Sequence, residues 1–355
     1  HLQLIFHLFL TKNMSKPILV IKFGTASITQ TSGEPDEGVI TRIAAQVAQL
    51  AQSHHIVLVS SGAVGAGKKF IAQYSGEMAQ RKAAAAIGNP LLLGIYARHF
   101  APYGISVAQS LCERQHFAQR EQFLQLKETY QALWDNGIIP IANENDVVSN
   151  RELKFSDNDE LATLIAVGFG ASTLLICTSA GGLLDKNKEI VRDIPQIDAT
   201  IWEMVDTSKS NLGTGGMASK LTFTKLATRM GIRTIIFGMN EPEGLLAAFT
   251  GKSGSLFHAK VASLTARNRW LASGSLTTGK IHIDAGAANA LAQRNSLLSV
   301  GIVQITGEFE AGEVVEIISP EGETLAIART KIGFPSKHPS GGKNIVAHAD
   351  DIVLL

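Results

Sequence analysis

The sequence predicts an α/β fold: a three-layer α/β/α sandwich on a mostly parallel central sheet, followed by a small, mostly β C-terminal domain. Short apolar runs alternate with helical stretches over residues 18–238, and strands joined by helical crossovers give a parallel sheet covered on both faces. Those runs are nearly continuous in apolar character, as strands buried on both sides require. After about Ala259 the texture changes: helical patterns nearly vanish, and short strands with turns take over. A chain of 355 residues with 45% hydrophobic content is long enough for two domains and a large core.

The first strand is Ile18–Phe23, ending at Gly24. Val39, Ile43, Val47 and Leu50 recur at helical spacing within 35–53, and a strand follows at 55–61. A helix over 78–100, an apolar run at 105–112, a helix over 120–136 and a strand at 138–143 continue the alternation. Helices at 158–168 and 216–231 accompany strands at 173–178 and 234–238. Functional loops in such a sheet gather at the C-terminal ends of its strands. The second domain is expected to hold strands at 280–284, 297–305, 314–318, 324–328 and 352–355. The expected division is an upstream leader at 1–15 with Met14 as the functional start, a first domain at 16–258, a linker at 259–277 and a second domain at 278–355. The apolar run at 2–10 is too short to span a membrane and has neither a preceding basic region nor a small-residue cleavage site.

Charged residues are 18% of the chain and the formal net charge is +1, which supplies no broad basic field for nucleic acid or anionic lipid. From residue 278 onward six Lys/Arg face nine Asp/Glu, a balance of −3, so RNA binding by the tail is not expected. Cys112 and Cys177 each end an apolar run and read as reduced, buried thiols in a cytoplasmic protein. His54, His55, His99 and His116 show no metal-ligand spacing, and no metal ligand is assigned.

Two lysines sit in glycine-rich settings: Lys22 before Phe23-Gly24-Thr25, and Lys220 closing Gly213-Thr214-Gly215-Gly216-Met217-Ala218-Ser219. Glycine lets backbone N–H groups approach an anion and a lysine adds a mobile full charge, so the pair suggests a phosphate held from both ends. Gly62-Ala63-Val64-Gly65-Ala66-Gly67-Lys68 nearly matches the phosphate loop of P-loop nucleotidases, but Lys69 stands where that loop needs Ser or Thr. Ser61, Gly62 and Ala63 read instead as a tight strand-to-helix turn that binds an anionic group or serves packing alone. Asn143-Glu144-Asn145-Asp146 and Ser156-Asp157-Asn158-Asp159-Glu160 concentrate acids and amides between a strand and a helix. Asp157 is expected as the N-cap with Glu160 completing a capping-box-like pattern, and the remaining acids and amides suit a substrate ammonium or the orientation of two lysines.

Taken in order, the Lys22, Ser61-Gly62, Asn143–Asp146, Asp157–Asp159 and Gly213–Lys220 motifs resemble the amino acid kinase family, over about residues 16–258. The likeness is greatest to members that phosphorylate the γ-carboxylate of L-glutamate at the start of proline biosynthesis. The tail resembles a shortened PUA domain. The resemblance implies a transferase using ATP and Mg2+, L-proline as a feedback inhibitor, and a homo-oligomer (dimer or tetramer). It implies that Lys22 and Lys220 contact the phosphates while Asp159 holds both; that Ser61, Gly62, Asp146 and Asn158 bind glutamate, with Asn143 and Asp157 nearby; and that Thr178, Ser179, Thr214, Gly215, Gly216, Met217, Ala218 and Ser219 line the nucleotide with the two lysines. The chain departs from the family at Ser179, where Asp is usual, at Leu184, where an aromatic is usual, and at Ser156, where Gly is usual. A kinase of another carboxylate or carbamate is the nearest alternative, and an inactive RNA-binding or regulatory homologue the next.

Overall fold

In the computed structural model, residues 16–148, 157–205, 216–260, 279–334 except 310 and 313, and 344–354 are described. Strands β1 (Ile18–Phe23), β2 (His55–Ser60), β3 (Ser106–Cys112), β4 (Ile138–Glu144), β5 (Thr173–Cys177), β6 (Asp193–Ile194), β7 (Arg233–Phe237) and β8 (Ser255–Phe257) form one sheet in the order β3-β4-β2-β1-β5-β7-β8-β6. Every described pairing in it is parallel except β7 with β8.

Side-chain alternation divides β1, β2 and β5 between two cores. Val20, Val57, Val59, Leu174 and Ile176 pack on one face with helices α4 (Arg120–Asp135), α5 (Asn158–Phe169) and α6 (Met217–Arg229). Leu19, Ile21, Phe23, Ile56, Leu58, Leu175 and Cys177 pack on the other with α1 (Glu37–Leu50) and α3 (Met78–Phe100). The three layers follow from that parity, and Lys22 shares the face of Val20, under α5 and α6. Cys112 and Cys177 are free and buried, and burial pushes both thiols up to about 11.

The glycine run after β2 serves packing. Its short helix α2 (Ala63–Gly67) meets α3 backbone to backbone: a Cβ on Gly67 would lie 1.9 Å from the Ala84 carbonyl oxygen, and one on Gly88 would lie 1.7 Å from that of Ala63. Gly62 opens the helix at φ +103°, which suits glycine there.

A second sheet runs β11 (Ile302–Gly307), β9 (Gly279–Ile283), β12 (Val314–Ile318), β13 (Thr324–Arg329) and β15 (Ile352–Leu354), beside a two-stranded pair of β10 (Leu297–Leu298) and β14 (Ile345–Ala347). Ile281, Ile283, Val315, Ile317, Ala326 and Ala328 fill its separate core. The expected strand at 297–305 is broken by a helical turn at Ser299–Gly301, where Gly301 lies so close to α7 (Ala285–Ala292) that a Cβ would come within 2.4 Å of the Ala287 methyl. Helix α7 also corrects the near absence of helix expected here. Its alanine-rich sequence has little apolar periodicity to read, and the Asp284 carboxylate starts it by accepting from the Ala287 N–H.

Candidate active site

The C-terminal edge of the parallel strands carries two connected polar groups. In the first, Lys22 leaves the end of β1 with its Nζ 2.5 Å from Asp159 Oδ1, and Lys220 on the first turn of α6 donates to Asp159 Oδ2 at 2.8 Å. Asp159 is fully buried, and the lysines are 5% and 6% exposed. Burial disfavours the Asp159 carboxylate, but the two ammonium groups outweigh it and hold the carboxyl below the usual aspartate range. Gly24 leaves room for the lysine, since a Cβ there would stand 3.3 Å from Lys22 Nζ.

Asp157 joins the elements beneath this cradle. Its Oδ1 accepts from the Asp159 and Glu160 N–H groups at 2.8 and 3.1 Å, and its Oδ2 accepts from the Ser219 hydroxyl at 2.6 Å. Burial pushes the Asp157 carboxyl up and the Asp159 charge adds to the effect, while the Ser219 bond opposes it. The N-cap expectation for Asp157 fits this geometry; the capping box does not, because Glu160 pairs with Arg114 instead.

In the second group Asn158 Nδ2 donates to Ser61 Oγ at 2.8 Å and to Asn143 Oδ1 at 2.9 Å. Ser61 follows β2, Asn143 lies near the end of β4, and the consecutive residues Asp157, Asn158 and Asp159 join both groups. Asp146 is half-buried in the turn after β4. Gly216 opens α6 without a side-chain cap, so the first N–H groups of that helix, at Met217, Ala218 and Ser219, suit an anion. Thr214, Gly215 and Ser156 lie outside the described residues. The Thr178 N–H donates to the Phe237 carbonyl, Ser179 is exposed in the following turn, and Leu184 bridges to Ile190; no described hydrogen bond joins Thr178 or Ser179 to the lysine cradle.

The bond from Ser219 to Asp157 and the Arg114–Glu160 pair were not legible in sequence, since 62 and 46 residues separate the partners. Among the described residues no group of three His, Cys, Asp or Glu side chains is arranged to hold a metal ion, and Asp159 has both oxygens on lysines. The described side chains at this site therefore do not by themselves form a set of ligands for a resident magnesium.

The amino acid kinase family profile matches residues 17–238, and the PUA domain profile matches residues 279–333. The glutamate 5-kinase of Klebsiella pneumoniae subsp. pneumoniae is 38% identical over 319 residues, covering 87% of each chain. The glutamate 5-kinase of Pasteurella multocida is 35% identical over 362 residues, covering 95% of this chain and 98% of its own. Among solved structures, the carbamate kinase from Giardia lamblia bound to AMP-PNP superposes with a TM-score of 0.50 at 16% identity, covering 69% of this chain and 99% of that one, a likeness of fold alone.

Proposed function

The chain belongs to the amino acid kinase family, and from that premise we infer that the array of Lys22, Asp159 and Lys220 is the centre at which a phosphoryl group passes to glutamate. The protein is a kinase that phosphorylates the γ-carboxylate of L-glutamate to γ-glutamyl phosphate, the first step of proline biosynthesis, and it carries a PUA domain. The alternatives of a kinase for a related carboxylate or carbamate and of an inactive RNA-binding or regulatory homologue are not favoured. The observation that carries the site reading is the buried carboxylate holding two ammonium groups at 2.5 and 2.8 Å.

The donor in this reading is MgATP, with the ion entering as part of the substrate. A γ-carboxylate oxygen of glutamate attacks the terminal phosphorus in line as the bond to the bridging oxygen of ADP breaks. The carboxylate is already ionised at neutral pH, so no general base is needed. Lys22 and Lys220, both buried, meet the charge spreading over the transferring group, and a charge so placed acts more strongly than one in open water. Asp159 is a positioning residue that presents both lysines. The first turn of α6 takes phosphate oxygens on its N–H groups, while Ser61, Gly62, Asn158 and Asp146 hold glutamate.

On the strength of the resemblance, the reading extends to a homo-oligomer, to L-proline as a feedback inhibitor, to a cytoplasmic enzyme, and to a kinase unit at 16–258 joined by a linker at 259–277 to the second domain. No helix among the described residues is long and apolar enough to cross a membrane.

Parallel assays with glutamate, N-acetylglutamate, aspartate and carbamate test the acceptor, and turnover confined to one of the other three would contradict the assignment. Asp146→Ala is expected to raise the glutamate KM more than the ATP KM, because a carboxylate that meets the substrate ammonium acts on acceptor binding. Equal effects on both would remove Asp146 from that role.

A further inference from the structure

Asn143 is itself held by Asn89, a residue on α3 that is 6% exposed. The hydrogen-bond polarity of this amide chain follows from one unambiguous donor. The Glu144 backbone N–H meets the Asn143 side chain at 2.9 Å, and a backbone N–H only donates, so the atom it meets is Oδ1. Asn143 must then present Nδ2 to Asn89, whose Oδ1 accepts at 3.0 Å. Asn158 reaches the same Asn143 Oδ1 through its own Nδ2 and gives its second amide hydrogen to Ser61 Oγ. Asn158 Oδ1 is thereby left as a buried acceptor with no hydrogen-bond partner among the described residues, and the Ser61 oxygen already accepts, leaving its hydrogen to donate. An acceptor for N–H beside a donor for a carboxylate oxygen is the complement of an amino acid.

We propose that Asn89 is a positioning residue for glutamate: as the acceptor that fixes Asn143, it sets the orientation of Asn158 and the donor role of Ser61 without touching the substrate. The proposal rests on the reading of Ser61 and Asn158 as the glutamate site. An apolar side chain at 89 leaves Asn143 Nδ2 buried without its acceptor, and because a flipped amide would oppose a donor to the Glu144 N–H and to Asn158, the orphaned group is relieved only by turning Asn143 out of this geometry, which shifts Asn158 with it. Asn89 Nδ2 is buried with no partner among the described residues, so what Asn89 contributes to this amide chain is its oxygen.

The test measures steady-state KM for glutamate and for MgATP in Asn89→Leu, Asn89→Ser and Asn89→Asp, with Ser61→Ala as the reference for the site. Asn89→Leu is expected to raise the glutamate KM about tenfold while changing the MgATP KM less than about twofold, the scale of one orphaned buried donor. Asn89→Ser, too short to reach Asn143, is expected to behave alike and serves if the leucine variant does not fold. Asn89→Asp keeps an acceptor oxygen and is expected to restore the glutamate KM to within about threefold of the parent. A raised glutamate KM in Ser61→Ala but not in the leucine or serine variants overturns the role of Asn89 and leaves the site reading intact. Equal rises in both KM values, or no rescue by aspartate, assign Asn89 to structure alone. An unchanged glutamate KM in Ser61→Ala removes the site reading and the proposal with it.

Discussion

Replacing Lys220 with alanine is expected to lower kcat at least about a hundredfold, the scale on which one preorganised charge stabilises a transition state. Lys220 is buried, and its ammonium group is fixed 2.8 Å from Asp159 Oδ2 rather than moving in solvent. A charge held in place before reaction needs no reorganisation as negative charge spreads over the transferring oxygens, so its loss falls on the chemical step. The glutamate KM should change far less than kcat, because the hydrogen bonds among Ser61, Asn158 and Asn143 do not involve the lysine. Full steady-state kinetics on the purified variant separate the two. An unchanged kcat would place Lys220 outside the chemistry.

Asp159→Asn is expected to damage both turnover and stability. The amide keeps the shape but removes the carboxylate charge that Lys22 and Lys220 both contact, leaving two buried ammonium groups on a neutral side chain. Breaking a buried ion pair by removing one partner typically costs about 3–5 kcal/mol, which should appear as a lower urea midpoint together with a large fall in kcat. The wild-type carboxylate adds a pH dependence of definite sign. Its folded pKa lies below the ordinary value, so its contribution is complete above the unfolded aspartate pKa of about 3.9 and is lost only as pH falls through the lowered folded value. Asp159→Asn should therefore flatten part of the acid limb of a stability-against-pH curve. A wild-type urea midpoint with intact activity would contradict the clamp.

Why some of this site was legible in sequence and some was not follows from distance along the chain. The parity of Ile18–Phe23 places Lys22 on the face of Val20, the face that α5 and α6 cover, so a lysine ending an apolar strand and a lysine opening an amphipathic helix converge on one point. Asp157, Asn158 and Asp159 are legible because a cap and a cluster of acids and amides coincide at one helix start. Asn89 leaves no such trace: it is one polar residue in an alanine-rich helix, and its partner Asn143 lies 54 positions away. The same distance hides Ser219 from Asp157. The near P-loop at 62–68 shows the reverse problem, since glycines that let two helices touch spell the same letters as glycines that cradle phosphate. Strand β8, only three residues long and antiparallel to β7, lacks the length for a period to show.

The most direct test is ADP release by the purified protein with MgATP, with and without L-glutamate, while any acyl phosphate is trapped as its hydroxamate. Glutamate-dependent ADP release matched by γ-glutamyl hydroxamate is the expected result. Folded protein that releases no ADP in response to glutamate, or releases it without hydroxamate, would contradict phosphoryl transfer to the glutamate carboxylate at this cradle.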